Sequence, residues 1–364
     1  MSIAFALADN SNANAGAKLV RVLAESDEKT SAALKEGCKI VNETKGLHAL
    51  MCRSNIASSL GLPEDMRMYA VDAVANTQIE ADYVHIGGND GNGRKIVMID
   101  SGYNYTHPDL SSSYLGGWDF VNNDNDPADD NGHGTIVAGL ITADGKNSKA
   151  KGAASGTAII TGKVLDSAGS GYLSDVVVAI YWAVDGPDGK AGTTDDFKAD
   201  AINLSLGTEA PYVYKTHCND VMPSMTKAIK YAMNRGVVVV VAAGNSGTLG
   251  VSVPGCISYS TTVGAVNSLD KIASFSGRGR GVDITAPGVN LISTFSDGTY
   301  VKASGTSLST PIISAAVALI KHEHPSYSPS EVQSALFNTA KDLGKIGRDN
   351  SYGYGRVVVS AAVQ

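Results

Sequence analysis

Four side chains, far apart in the chain, are of the types that acyl transfer needs. Ser307 stands in Ser304-Gly305-Thr306-Ser307-Leu308-Ser309-Thr310-Pro311, ahead of the apolar residues Ile312, Ile313, Ala315, Ala316, Val317, Leu319 and Ile320. That reads as a tight turn feeding a buried helix, with Pro311 tolerated because it falls in the first turn. A hydroxyl there meets free N–H groups and the positive end of the helix dipole, which favour a developing negative charge. With a base in reach it can act as a nucleophile. His133, in Asn131-Gly132-His133-Gly134-Thr135, offers that base at the start of another apolar helix. Asp100 ends the apolar run from Lys95, and Asn245 follows Ala242-Ala243-Gly244. Taken singly, each has a plainer reading: a helix cap, a surface histidine, a turn aspartate, a turn asparagine. Together they supply nucleophile, base, acid and an amide donor for an oxyanion. Ser246 is a poorer nucleophile candidate, because it lacks the G-x-S-x-G elbow and no apolar helix follows it.

The elements that must position these groups alternate. Strand candidates are residues 95–100, 158–165, 199–206, 236–244, 259–266 and 282–286, with amphipathic helices between several of them. Continuous apolar strands such as Val237 to Val241 indicate a parallel sheet covered on both faces. In such sheets sites form beyond the carboxyl ends of the strands, where Asp100 and Asn245 would lie. Residues 17–75 have a different grammar. Strand, helix, two strands around Glu43-Thr44-Lys45-Gly46, helix and a last strand over 66–74 give the split βαββαβ, ferredoxin-like order. We therefore expect three segments: an N-terminal remnant 1–16, a small α+β domain 17–76, and a three-layer α/β domain 77–364.

The composition is that of a globular protein, with 43% hydrophobic and 18% charged residues. A net charge of −7 and the lack of a basic cluster argue against a nucleic-acid partner. No apolar run approaches a membrane span. Met1 to Ala8 is apolar and ends in a small residue, like the tail of a secretory signal, but lacks a basic start and sufficient length. Cys38 and Cys52 flank the hairpin, and Cys218 and Cys256 could close a long loop. Two disulfides in an exported protein is the expectation, four buried thiols the alternative.

In these motifs the chain resembles the subtilisin-like serine proteases. The resemblance rests on Val97-Met98-Ile99-Asp100-Ser101-Gly102, on His133-Gly134-Thr135 with Val137-Ala138-Gly139, on Ala242-Ala243-Gly244-Asn245 and on Gly305-Thr306-Ser307, in the family's order. It covers residues from about 78 to the end, closing with Gly353-Tyr354-Gly355, and residues 17–75 resemble the family's propeptide. The resemblance implies Ser307 as nucleophile, His133 as general base and then acid, and Asp100 as its orienting carboxylate. It implies Asn245 and the Ser307 N–H as oxyanion donors. Gly169, Ser170, Gly171 and Ser205, Leu206, Gly207 resemble the two edges that grip a peptide as an added strand. No charged residue falls in the segments expected around the P1 pocket, so neutral P1 side chains are expected. The implied protein is a secreted endopeptidase made as a zymogen, monomeric, acting on proteins and peptides, with its own propeptide as chaperone and inhibitor. Ile136 and Ile312 stand where many relatives carry histidines, so an apolar contact there would replace a polar one.

Calcium is a further expectation. Residues 118–130 carry five carboxylates, which repel one another unless a hard cation or water relieves them. The stretch resembles a calcium loop of the family, with Asp119, Asp124 and Asp126 at ligand positions. Asp109 matches the aspartate of the family's strong calcium site, although Lys146 and Lys149 in the completing loop argue against a metal there. A third cluster, Asp185, Asp188, Asp195 and Asp196, reads as a solvated loop or another ion site.

Overall fold

The computed structural model describes residues 18–44, 47–63 and 74–364. The chain forms two compact units, residues 1–70 and 71–364. The boundary expected between residues 76 and 77 thus lies inside the second unit, within its first helix.

In the first unit β1 (Leu19–Ala24), α1 (Asp27–Lys35), β2 (Lys39–Thr44), β3 (Leu47–Arg53) and α2 (Ser54–Ser59) follow in order. The strands form an antiparallel sheet, β1-β3-β2. Helix α1 starts earlier than its apolar residues suggest. Ser26 caps it by accepting from the Lys29 N–H at 3.2 Å, and Asp27 and Glu28 favour its positive end. Val22, Ala33, Leu50, Ala57 and Leu62 make a small core, closed by the buried Cys38–Cys52 disulfide. The last strand expected, 66–74, lies outside the described residues except Val74, which begins a helix.

The second unit opens with α3 (Val74–Gln78) and α4 (Ala81–Ile86). There follow β4 (Lys95–Asp100), β5 (Tyr114–Asp119), α5 (His133–Thr142), β6 (Ala158–Lys163), α6 (Leu173–Asp185), β7 (Ala201–Leu204) and β8 (Val213–Tyr214). Next come α7 (Pro223–Asn234), β9 (Val238–Ala242), β10 (Val251–Ser252), β11 (Thr261–Val266) and β12 (Ile284–Pro287). The chain ends with β13 (Leu291–Thr294), β14 (Tyr300–Ala303), α8 (Thr306–Glu323), α9 (Pro329–Asn338) and α10 (Val359–Ala362). Seven strands form one sheet in the order β12-β11-β9-β7-β4-β6-β5, and every neighbouring pair is parallel.

Side-chain alternation divides the core. On β4, Ile96 and Met98 join the layer of α5 and α8, while Val97 and Ile99 join that of α6 and α7. On β9, Val238 and Val240 face the first layer and Val239 and Val241 the second. The unit is therefore a three-layer α/β sandwich. All six strands expected in it are present, each with its regular core inside the expected range or one residue past it. The edge strand β5 was not expected. Its sequence, YLGGWD, carries two glycines where a strand usually carries β-branched residues. Cys218 and Cys256 form the second disulfide. Ile312 is buried in the first layer, and Ile136 packs against it. Among the described residues no helix is long and apolar enough to cross a membrane.

The sheet is closed at β12 by a carboxylate. Asp283 accepts from the Thr262 N–H at 2.9 Å and from Arg348 at 3.2 Å, and its own carbonyl accepts from the Tyr354 N–H at 2.7 Å. Burial pushes the Asp283 carboxyl up to about 6, against the pull of the Thr262 N–H and the Arg348 guanidinium. A raised folded pKa favours the native state below the unfolded value, and that contribution fades as pH rises towards 6. In a Ser307→Ala background, which prevents self-digestion, Asp283→Asn should therefore gain melting temperature relative to its parent between pH 4 and 7. A difference that stays constant across that range would show that the buried charge is fully compensated.

Candidate active site

Asp100 sits at the carboxyl end of β4 and is wholly buried. Its Oδ1 accepts from the Ser101 N–H at 2.8 Å and from His133 Nδ1 at 2.7 Å. That bond leaves the other ring nitrogen, Nε2, as the site for taking a proton. His133 is the first residue of α5, and the helix start must come very close to the end of β4. A Cβ on Gly134 would lie 2.1 Å from the Gly102 carbonyl oxygen, and Gly102 itself has φ of +125°. Larger residues at either position would push the imidazole away from Asp100.

Asp129 fixes the same turn. One oxygen accepts from the Ser101 hydroxyl at 2.9 Å and the Gly132 N–H at 2.8 Å. The other accepts from the Thr135 N–H at 2.8 Å and the Thr135 hydroxyl at 2.6 Å. Burial alone would raise its pKa, but these hydrogen bonds outweigh it and hold the carboxyl below its ordinary range. Lys163 braces the site from the neighbouring strand, opposite Asp100 in the β4–β6 register. It is 1% exposed, and its three protons go to Ser101 O at 2.7 Å, Leu165 O at 2.8 Å and Asp130 Oδ1 at 2.6 Å. The sequence reading passed over both residues. A lysine ending an otherwise apolar strand was the visible signal for one, and an aspartate four residues before His133 for the other.

Ser307 is the second residue of α8, not the residue before it, so Pro311 falls in the second turn. A proline there has no N–H for the Ser307 carbonyl. The Ser205 hydroxyl replaces it, donating to Ser307 O at 2.8 Å. Asn203 Nδ2 donates to Ser205 Oγ at 3.0 Å, and the Ser314 hydroxyl donates to Asn203 Oδ1 at 2.8 Å. All three side chains are buried. A helix defect thus becomes a tether between the reactive serine and β7.

Asn245 follows β9. Its Oδ1 accepts from the Thr306 N–H at 3.0 Å and the Thr306 hydroxyl at 3.1 Å, which turns Nδ2 towards the cleft as a free donor. A Cβ on Gly305 would stand 2.9 Å from Ser307 Oγ and 3.6 Å from Asn245 Nδ2. The Ser307 hydroxyl and the Asn245 amide therefore flank one point. His133, Asn245 and Ser307 line a cleft of about 950 Å³ together with Gly169, Ser170, Gly171, Ser205, Leu206 and Gly207. Asp100 is reached through His133. The floor between Gly207 and Gly244 is filled by Ser252, against which a Cβ on either glycine would clash. The Cys218–Cys256 disulfide holds the segment beyond that floor.

The structure pairs Asp119 with Asp124 through two backbone hydrogen bonds of 2.9 and 3.1 Å, and gives each expected metal ligand hydrogen-bond donors. Asp119 accepts from the Val121 and Asn122 N–H groups at 2.7 and 2.9 Å and from Asn122 Nδ2 at 2.9 Å. Asp124 accepts from the Asp126 N–H, and Asp126 accepts from the Tyr105 hydroxyl. Asp109 accepts from the Lys146 N–H and the Tyr300 hydroxyl, both at 2.8 Å, while the Lys146 ammonium donates to Pro108 O. Asp188, Asp195 and Asp196 likewise bind the N–H groups and Thr193 hydroxyl of their own loop. Among the described residues no three His, Cys, Asp or Glu side chains are placed to hold a metal ion. No step below uses calcium.

Comparison with known proteins gives a family model, described as the subtilase family, that matches residues 91–355. A thermophilic serine proteinase of Bacillus sp. (strain AK1) is 38% identical over 74% of this chain and 64% of its own length. Subtilisin Savinase of Lederbergia lenta is 37% identical over 79% of this chain and 97% of its own length. Subtilisin E of Bacillus subtilis (strain 168) is 36% identical over 79% of this chain and 70% of its own length.

Two outcomes follow from the geometry. Burial lowers the pKa of His133, but the charge and hydrogen bond of Asp100, with the charge of Asp129, outweigh it and hold the imidazole above its ordinary 6.5. A base must be neutral, so hydrolytic kcat/KM should rise with pH through an acid limb above 6.5, and Asp129→Asn should move that limb down. An unmoved limb would show that Asp129 acts only as a cap. Ser205→Ala should lower kcat by roughly tenfold with little change in KM, since losing a hydrogen bond typically costs about 0.5–1.5 kcal/mol. Loss confined to KM would show that Ser205 merely contacts substrate.

Proposed function

The chain belongs to the subtilase family, and from that premise we propose that it is a secreted endopeptidase working through Ser307, His133 and Asp100. The observation that carries the reading is the His133 Nδ1 to Asp100 Oδ1 bond of 2.7 Å at the edge of the cleft that Ser307 and Asn245 line. His133 takes the Ser307 proton on Nε2 as the hydroxyl attacks the scissile carbonyl, and Asp100 stabilises the imidazolium. Asn245 Nδ2 and the Ser307 N–H receive the oxyanion. His133 then returns the proton to the leaving amine, and water repeats the sequence to release the acid. A donor such as Asn245 is worth about 10²–10³ in turnover, a figure measured on subtilisin itself.

The strips Gly169–Gly171 and Ser205–Gly207 bind the peptide backbone as an added strand, which makes sequence tolerance broad and leaves P1 neutral. The chain is made as a zymogen whose first unit assists folding and inhibits the second. Two disulfides fit an oxidising, extracellular compartment.

Intact mass before and after a fluorophosphonate, beside Ser307→Ala, tests the reading. One adduct, lost in Ser307→Ala and carried by a chain shortened by its first unit, is the expected result. An adduct on the full-length chain would refute self-processing alone. An adduct that persists in Ser307→Ala would refute the assignment of the nucleophile.

A further inference from the structure

The cleft is almost free of charge. Apart from His133, the residues lining it include a single side chain charged at neutral pH, the carboxylate of Glu209. It lies just past the Ser205–Gly207 edge, outside the segments from which a neutral site was expected. It is exposed, and among the described residues its carboxylate has neither hydrogen bond nor ion pair. Its backbone, by contrast, is braced. The Thr208 N–H donates to Val253 O at 3.0 Å, and the Val253 N–H donates to the Thr208 hydroxyl at 3.0 Å. The Tyr212 N–H closes the turn on Glu209 O at 2.9 Å, and the Thr208 hydroxyl donates to Tyr212 O at 2.5 Å. The acid is therefore held at a defined place on the rim.

We infer that Glu209 is a specificity-determining residue that selects a lysine or arginine side chain three or four residues from the scissile bond. This rests on the peptidase reading above and names a substrate class within it. The distance follows from the length of chain. Ser205 is tied to Ser307, and Glu209 opens the turn that ends this edge, four residues from Ser205. Extended chain spans at most about 3.3–3.6 Å per residue, so Glu209 lies within about 14 Å of Ser205, the reach of a peptide's third or fourth residue from the scissile bond. The floor set by Ser252 explains why the charge is read there. It limits the pocket nearest Ser307, whereas Glu209 stands where a long cationic side chain can meet it from solvent. An exposed pair of this kind is worth a two- to fivefold preference, and salt screens it.

The test uses the purified enzyme, its active sites counted with a fluorophosphonate, and internally quenched peptides. One series carries glutamine at every position around a fixed cleavage site. The others place lysine or glutamate at one position at a time. At 20 mM salt we expect lysine to raise kcat/KM about two- to fivefold over glutamine at one position, three or four residues from the cut. The preference should fall towards one at 1 M salt, vanish in Glu209→Gln, and reverse in favour of glutamate in Glu209→Lys. The glutamine series sets each enzyme's own baseline, and every preference is read as a ratio to it. Cleavage of the glutamine peptides with no lysine preference at any position would overturn the role of Glu209 alone. So would a preference that survives Glu209→Gln. Failure to cleave any peptide would overturn the peptidase reading and this inference with it.

Discussion

A carboxylate with no exposed surface is the constraint around which the catalytic unit is arranged. Asp100 sits at the end of a buried strand, where an unpaired charge would be expensive. Two donors, the Ser101 N–H and His133 Nδ1, meet one of its oxygens, Oδ1, while Oδ2 is buried without a hydrogen-bond partner among the described residues. A buried cation stands one peptide away, since Lys163 binds the Ser101 carbonyl and the Asp130 carboxylate. The Ser101 hydroxyl links the strand end to Asp129 and accepts from the Gly134 N–H at 2.8 Å, so the first turn of α5 is tied to β4. Once these partners are in place the imidazole has little freedom left. Its tautomer and direction are consequences of how Asp100 is satisfied.

The second constraint is backbone hydrogen bonding in α8. A nucleophile at a helix N-terminus needs its N–H free for the oxyanion, and Ser307, as the second residue, has it free. Its carbonyl would normally be taken by the amide four residues on. Pro311 cannot supply that amide, and the buried chain Ser314, Asn203, Ser205 carries the load instead. The same Ser205 begins the edge that would grip substrate. Ser307 and the Ser205–Gly207 edge are therefore held by one network.

Most of this architecture was legible because parallel strands buried on both faces write themselves as continuous apolar runs, as Val237 to Val241 do. The reactive groups were legible because glycines mark where helix starts approach strand ends, around His133 and before Asn245. Other parts carry no periodic signal. Strand β5 hides behind two glycines and an acidic tail. Lys163 reads as the polar end of a strand, although its ammonium lies in the interior. Pro311 was placed one turn too early, because a helix start cannot be located to a residue without seeing its cap. The acidic loop shows the limit most clearly. Resemblance to a calcium loop put Asp119, Asp124 and Asp126 at ligand positions, and local turns give each carboxylate N–H or O–H donors that this resemblance did not predict. Which donor an acid finds depends on dihedral angles that composition does not encode.

Charge is distributed across the site in a way that separates reaction from selection. Four charged groups gather around His133 but do not line the cleft: Asp100 accepts from His133 Nδ1, Asp129 from the Thr135 N–H, and Asp130 pairs with Lys163. The rest of the lining is uncharged, made of glycine, serine, threonine, asparagine, aliphatic side chains and Tyr172, apart from the carboxylate of Glu209 at the rim. On the proposed reading, such a wall binds through backbone groups and makes little demand on side chains. Selectivity then falls to the rim, where a change of sign on one exposed residue is remote from the hydrogen bonds around Asp100. A fold built this way can alter its choice of substrate without disturbing the chemistry.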